Sequence, residues 1–277
     1  MQHVFSPDNP LILVGCGHMG HAMALGWLSA GVSPEAIFVI DPALDSACLS
    51  GVATKRCVTS FEELPKGTLA KAVVLAVKPQ VIDRVLPQVA GVVDKNSLVI
   101  SVAAGVTLDQ MHRGIEHECV LIRSMPNTPA AVGAGITGLT AKEGIAAADK
   151  TLARELLSAT GATVWIDSED QMNAVTAVSG SGPAYVFYMV ECMAAAGVRQ
   201  GLPEDVAMAL ARQTIIGAGR LLAADSDIEA AELRRRVTSP GGTTAAALNV
   251  LMQEEGLPDL MLKAIEAANK RGAELAG

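Results

Sequence analysis

Aromatic side chains are scarce in this sequence: four Phe, two Tyr and two Trp make up 3% of 277 residues. Half of the chain is nevertheless hydrophobic, so its interior must be built from Ala, Val, Leu and Met, which favours closely packed helices. Long apolar runs are also missing. None reaches the ~18 uninterrupted residues of a membrane span. The nearest, residues 183–198, is broken by Glu191, so no membrane partner is expected. The first ten residues lack a basic stretch followed by an apolar one, and no secretion signal is read there. Positive charge is in deficit, with a net charge of −8, which argues against nucleic acid as a partner. Paired cysteine spacing is absent too. Cys16, Cys48, Cys57, Cys119 and Cys192 form no C-x-x-C and read as reduced thiols of a cytoplasmic protein. His18 and His21 can share a helix face, and His112 and His117 flank a polar turn. Neither pair has a third ligand, so no metal site is expected.

What the sequence does contain is an alternation of short apolar runs and helix-sized segments. Leu11-Ile12-Leu13-Val14 reads as a strand, followed by a helix to about Ala30 and a second strand over residues 36–40. Further strand-like runs occupy residues 72–77, 98–102 and 120–122. Residues 134–140 and 163–166 extend the sheet around a helix near 146–159. This alternation predicts a Rossmann-type, doubly wound parallel α/β sheet. Strand signals stop at Asp167. Residues 185–198, 203–224, 228–236 and 258–275 read as helices, the first apolar nearly all round. Such a helix must be buried on every side, so the segment is expected to complete its core against a partner subunit. The expected division is therefore 1–167 for a dinucleotide-binding domain and 168–277 for an all-α substrate-binding and dimerisation domain.

The first strand runs into Gly15-Cys16-Gly17-His18-Met19-Gly20 and the second ends at Asp41. A G-x-G-x-x-G alone is weak. Placed between a strand and a helix, and answered by an acid about twenty residues on, it becomes a dinucleotide fingerprint. Gly15 allows the tight turn, Gly17 lets the pyrophosphate approach, and Gly20 lets helix and strand pack. Val14 and the loop side chains Cys16, His18 and Met19 complete that segment. An acid at position 41 accepts from the adenosine 2′-hydroxyl and repels a 2′-phosphate, so NADH is expected over NADPH. Lys55 and Arg56 can reach back toward that position, which keeps NADPH open. Ala76-Val77-Lys78-Pro79 closes another strand at the same edge. Lys78 is either a proton donor or a backbone lining residue ahead of a helix begun by Pro79, and the second reading is preferred. Val102, Ala103 and Ala104 form a small-residue wall beside the nicotinamide ribose.

The second informative stretch is Val237-Thr238-Ser239-Pro240-Gly241-Gly242-Thr243-Thr244. Paired glycines admit a ligand close to the backbone, and the residues after them read as a first helical turn whose free N–H groups suit a carboxylate. A hinge or capping loop is the plainer alternative. Arg234-Arg235-Arg236 just before it reads as a solvated helix end. Ser179-Gly180-Ser181-Gly182-Pro183 lacks the G-x-S-x-G of a hydrolase and reads as the cap of the long buried helix.

Taken with Ser101-Val102-Ala103-Ala104-Gly105-Val106, Arg123-Ser124-Met125-Pro126-Asn127-Thr128-Pro129 and residues 177–185, these motifs resemble the pyrroline-5-carboxylate reductase family across nearly the whole chain. The resemblance implies hydride transfer from NADPH or NADH to the cyclic imine of 1-pyrroline-5-carboxylate, giving L-proline. It implies a homodimer, which in some members assembles into a ring of five dimers. It also implies that the Thr244 hydroxyl bonds the substrate's ring nitrogen and that Ser239, Gly241, Gly242 and Thr243 hold its carboxylate. Glu169 aligns with an acid that approaches the substrate. A β-hydroxyacid dehydrogenase using Lys78 and a nucleotide-sensing regulator are the rival readings, and both lack a reason for the Ser239-to-Thr244 loop.

Overall fold

The structure, a computed structural model, describes residues 4–43, 49 and 51–276. They divide into two compact units. One runs to Gly180 and takes in the chain from Asn269 onward, and the other is Ser181–Ala268. Cys48, one of the five thiols, lies outside the described residues.

The first unit is built on strands β1 (Leu11–Val14), β2 (Ile37–Ile40), β3 (Cys57–Val58), β4 (Ala72–Leu75), β5 (Leu98–Ser101), β6 (Val120–Met125), β7 (Gly135–Ala141) and β8 (Gly161–Trp165). They form one sheet in the order β3-β2-β1-β4-β5-β6-β7-β8. Neighbours are parallel from β3 to β6, β7 runs antiparallel to β6, and β8 is parallel to β7. The chain works outward from β1 to β3 and then returns to β4, so the order reverses between β1 and β4. In open α/β sheets that reversal creates the ligand crevice.

Helices α1 (His18–Ser29), α2 (Ile82–Val89), α3 (Leu108–Ile115) and α4 (Ala147–Ser158) accompany the sheet. Every residue of β1, β2, β4 and β5 is buried, the signature of parallel strands covered on both faces. Because successive side chains alternate, Leu11 and Leu13 join Met23, Trp27, Leu152 and Leu156 in one core cluster. Ile12 and Val14 join Ile82, Leu86, Leu108 and Met111 in the other. Helix α1 buries Gly20, Met23, Ala24 and Trp27, a stripe at helical spacing. The Trp27 indole donates to the Leu156 carbonyl at 2.8 Å, so this large ring is buried without an unpaired donor.

After β8 the chain makes α5 (Met172–Val175) and then a π-helical turn over Thr176–Gly180. The second unit holds α6 (Gly182–Arg199), α7 (Glu204–Ala224), α8 (Ala230–Arg236), α9 (Thr243–Leu251) and most of α10 (Leu257–Ala276). Pro183 stands in the first turn of α6, where its missing N–H costs nothing. Helices α6 and α7 pack through small residues: Ala194, Ala207 and Ala211 are buried. Large side chains of the same helices are not. Phe187 is 62% and Tyr188 66% exposed. The helix expected to be buried on every side is therefore open along most of its surface in a single chain. Among the described residues no helix is long and apolar enough to cross a membrane.

Candidate active site

The cofactor residues read from the sequence gather at one edge of the sheet. Gly15 leaves β1 with φ +91°, and its N–H donates to the Ile40 carbonyl at 2.8 Å. A Cβ built on Gly15 would stand 2.7 Å from the Ala76 carbonyl oxygen, and one on Gly20 2.1 Å from the Gly15 oxygen. Two backbones and a helix meet there with no room for a side chain. Gly17 differs, since a Cβ on it would meet open space. It caps the start of α1, and no side chain caps that terminus. The first N–H groups of the helix thus remain for an anion. The edge continues through Ala76, whose N–H donates to Val14 at 2.7 Å, and Val102, whose N–H donates to Leu75 at 3.0 Å.

Asp41 follows β2 at this edge. Its Oδ2 accepts the Cys16 N–H at 2.6 Å and its Oδ1 accepts the Ala43 N–H at 2.8 Å. The carboxylate is thereby tied to the glycine-rich turn and aimed by it. Arg56 and Lys55 lie elsewhere. The Arg56 guanidinium stacks 4.3 Å from the Phe38 ring centroid, and both cations approach Glu35, at 3.7 and 3.6 Å. Phe38 is three residues before Asp41, about 10 Å back along the strand. Lys78 is exposed and immediately precedes a 3₁₀ turn begun by Pro79. Val102 and Ala103 are buried, while Ala104 is exposed and borders a cavity of about 560 Å³ shared with Pro79, Gly105 and Thr107.

The substrate residues read from the sequence fall into both units. In the helical unit, Gly241 has φ +71°, a conformation open to glycine. The Gly242 N–H donates to the Ser239 carbonyl at 3.0 Å. Gly242 caps the start of α9, again with no side-chain cap, so Thr243 and Thr244 occupy a first turn with unclaimed N–H groups. Upstream, Arg235 and Arg236 both pair with Glu232, at 2.5 and 3.1 Å. In the sheet unit, Glu169 directs Oε1 to the Arg123 guanidinium at 2.9 Å and to the Leu108 N–H at 2.8 Å. Arg123 is 5% exposed. No role was read for it from the sequence, although an arginine directly after Val120-Leu121-Ile122 on a buried strand signals that a carboxylate must meet it.

A Rossmann-type edge with an uncapped helix N-terminus and an anchored acid after β2, joined to an all-helical region, defines the class of a dinucleotide-dependent oxidoreductase. Residues 11–105 match the family model "NADP oxidoreductase coenzyme F420-dependent", and residues 169–275 match "Pyrroline-5-carboxylate reductase dimerisation". The chain is 39% identical over 267 residues to a pyrroline-5-carboxylate reductase from Pseudomonas aeruginosa, covering 96% of each. The solved pyrroline-5-carboxylate reductase from Coxiella burnetii superposes with a TM-score of 0.88 at 35% identity, over 98% of this chain and 99% of that one. The pyrroline carboxylate reductase of Plasmodium falciparum, solved with NADP bound, gives a TM-score of 0.76 at 28% identity over 98% and 99%.

The chain belongs to the pyrroline-5-carboxylate reductase family and is an NAD(P)H-dependent oxidoreductase of proline biosynthesis. It carries that family's dimerisation region, which supports a homodimer.

Proposed function

We propose that this enzyme reduces 1-pyrroline-5-carboxylate to L-proline faster with NADH than with NADPH. Asp41 carries the cofactor preference. Its carboxylate is held by the Cys16 and Ala43 N–H groups, and each oxygen keeps lone-pair capacity for a ribose hydroxyl. A 2′-phosphate there would meet a like charge without compensation. No Lys, Arg or His stands between Asp41 and Lys55 in the sequence, and Arg56 is engaged with Phe38 and Glu35. Initial rates with the two reduced cofactors at equal concentration test this directly, and faster turnover with NADPH overturns it.

The dinucleotide supplies the hydride. The chain's own residues hold, orient and polarise. His18, Met19 and Gly20 offer N–H groups at the start of α1 to the pyrophosphate. Val102, Ala103 and Ala104 wall the nicotinamide side, and Lys78 and Pro79 line it through their backbone. Gly241, Gly242 and Thr243, with Ser239, hold the substrate carboxylate at the start of α9. Holding that group fixes the ring's face and its distance to the hydride donor. Thr244 hydrogen-bonds the ring nitrogen. A threonine hydroxyl is too weak an acid to protonate an imine, so the substrate enters as the iminium or takes its proton from water relayed past Thr244.

Residues 168–277 serve as the substrate-binding and dimerisation part. Thiols at Cys16, Cys57, Cys119 and Cys192, none in a disulfide, suit a reducing cytoplasm. Light scattering on the purified enzyme separates a homodimer from the ring of five dimers.

A further inference from the structure

The pair of buried Arg123 and part-buried Glu169 stands outside the chemistry described above. Arg123 lies on β6 on the same side of the strand as Leu121, the side covered by α2 and α3. An arginine side chain only 6% exposed costs heavily unless paired. Glu169 Oε1 pairs it at 2.9 Å. Stability alone is a weak reason to keep such a pair, because well-packed apolar side chains of similar volume often do as well or better. What an apolar pair does not offer is direction.

The second bond of Glu169 gives that direction. The same Oε1 accepts the N–H of Leu108 at 2.8 Å, and Leu108 opens α3. The carboxylate therefore sits at a helix N-terminus, favoured by the helix dipole. Beside it the Thr107 hydroxyl accepts the Gln110 N–H at 3.1 Å. Leu108 is also the far end of the segment that leaves β5. Its near end is fixed by the Val102 N–H on Leu75 at 3.0 Å and the Ala103 N–H on the Ser101 hydroxyl at 3.3 Å. Between those anchors Ala104 and Gly105 face the cavity of about 560 Å³. One carboxylate oxygen thus joins β6 to the exit of the loop that carries Ala104.

We infer that Arg123 and Glu169 are positioning residues for the reduced dinucleotide, setting the Val102-to-Thr107 loop at the height where Ala103 and Ala104 meet the nicotinamide ribose. The inference rests on the reading of that loop as the cofactor wall. It moves Glu169 from contact with the substrate to action through Leu108.

The test is fluorescence titration with whichever reduced cofactor turns over faster, in the absence of substrate, alongside the KM for pyrroline-5-carboxylate and the thermal midpoint. Glu169→Ala should weaken cofactor binding about tenfold and leave the substrate KM within about twofold. Glu169→Gln keeps an acceptor for both donors and should recover most of the affinity. Glu169→Ala leaves Arg123 unpaired and endangers folding, so the double variant Arg123→Met/Glu169→Leu provides a folded control without a buried charge. It should melt near the wild-type temperature and still bind the cofactor weakly. Wild-type cofactor binding by that double variant overturns the inference. So does a raised substrate KM with unchanged cofactor affinity in Glu169→Gln, which returns Glu169 to the substrate. Ala104→Leu tests the underlying wall: unchanged cofactor binding in that variant removes the wall and the inference together. Weakened binding there beside a normal double variant removes only the pair.

Discussion

In the sheet unit Leu11, Ile12, Leu13, Val73 and Ile100 are each 0% exposed, while in the helical unit Phe187, Tyr188, Leu210 and Leu222 stand between 50% and 66% exposed. Both regions are apolar, but they dispose of apolar surface differently. The sheet separates two closed clusters, one on each face, and needs nothing further. Helices α6 and α7 touch through alanine and leave their larger side chains outside. Exposed apolar area on that scale marks an interface, and the match of residues 169–275 to a dimerisation family supports a homodimer, which makes these helices the face to test. One unit closes its core on itself, whereas the other leaves large apolar side chains outside it.

The sharpest way to break this contrast is to put a charge on the open helices. Phe187→Glu should dissociate the dimer and reduce turnover at least about a hundredfold, since a central aromatic anchor commonly carries several kcal/mol of an interface. Light scattering and the reductase assay read this outcome, and cofactor titration should remain within about twofold of wild type. A variant that stays dimeric and active would place the interface elsewhere. The complementary change is Gly20→Ala in the sheet unit. Its methyl would stand 2.1 Å from the Gly15 oxygen, so cofactor affinity should fall at least about tenfold while light scattering still reports a dimer.

Smaller effects sharpen the division of labour. Thr244→Ala should lower kcat about thirtyfold, the scale of about 2 kcal/mol for a hydrogen bond to a charged group, with cofactor affinity unchanged in titration. Asp41→Ser should lower the NADH-to-NADPH ratio of kcat/KM about tenfold. A ratio that does not move would deny Asp41 its role at the ribose. The smallest effect concerns thiols, one in each unit. Burial pushes the Cys119 thiol up to about 11. Its raised value keeps it protonated through neutral pH, so only about one part in a thousand is thiolate at pH 8. Mass spectrometry after brief alkylation should find Cys119 unmodified, with reactivity appearing only as pH climbs toward 11. Exposed Cys192 on α6 should be labelled in the dissociated Phe187→Glu variant and shielded in the dimer.

Much of this was readable from residue patterns. The runs at β1, β2, β4 and β5 are apolar throughout because both faces are covered, and that makes them conspicuous. β3 escaped the reading because Cys57–Val58 is two residues long and is a strand only by pairing with Val39 and Ile40. The end of β6 escaped because Arg123 and Ser124 interrupt the apolar run. The burial of Arg123 depends on Glu169, which is distant in sequence. The π-helical turn at Thr176–Gly180 has no local signal either. It abuts Met125, whose Cε would lie 2.7 Å from a Cβ on Gly180, and such a contact belongs to the tertiary structure. The glycine-rich turn and the Ser239-to-Thr244 loop were legible for the opposite reason. Their conformations depend on residue types that few other places in a chain require.

The contact between Gly15 and Ala76 has a consequence at the level of the gene. Every single-base change of a glycine codon that alters the amino acid introduces a side chain or a stop. At this codon each such side chain would meet the Ala76 backbone at 2.7 Å with φ held at +91°. Drift therefore has no neutral amino-acid step to take from Gly15, and only synonymous changes can accumulate there. Gly91, where a Cβ would meet open space and φ is not positive, sits in a far more permissive part of the mutational landscape. The rate at which the two codons tolerate saturation mutagenesis should differ accordingly.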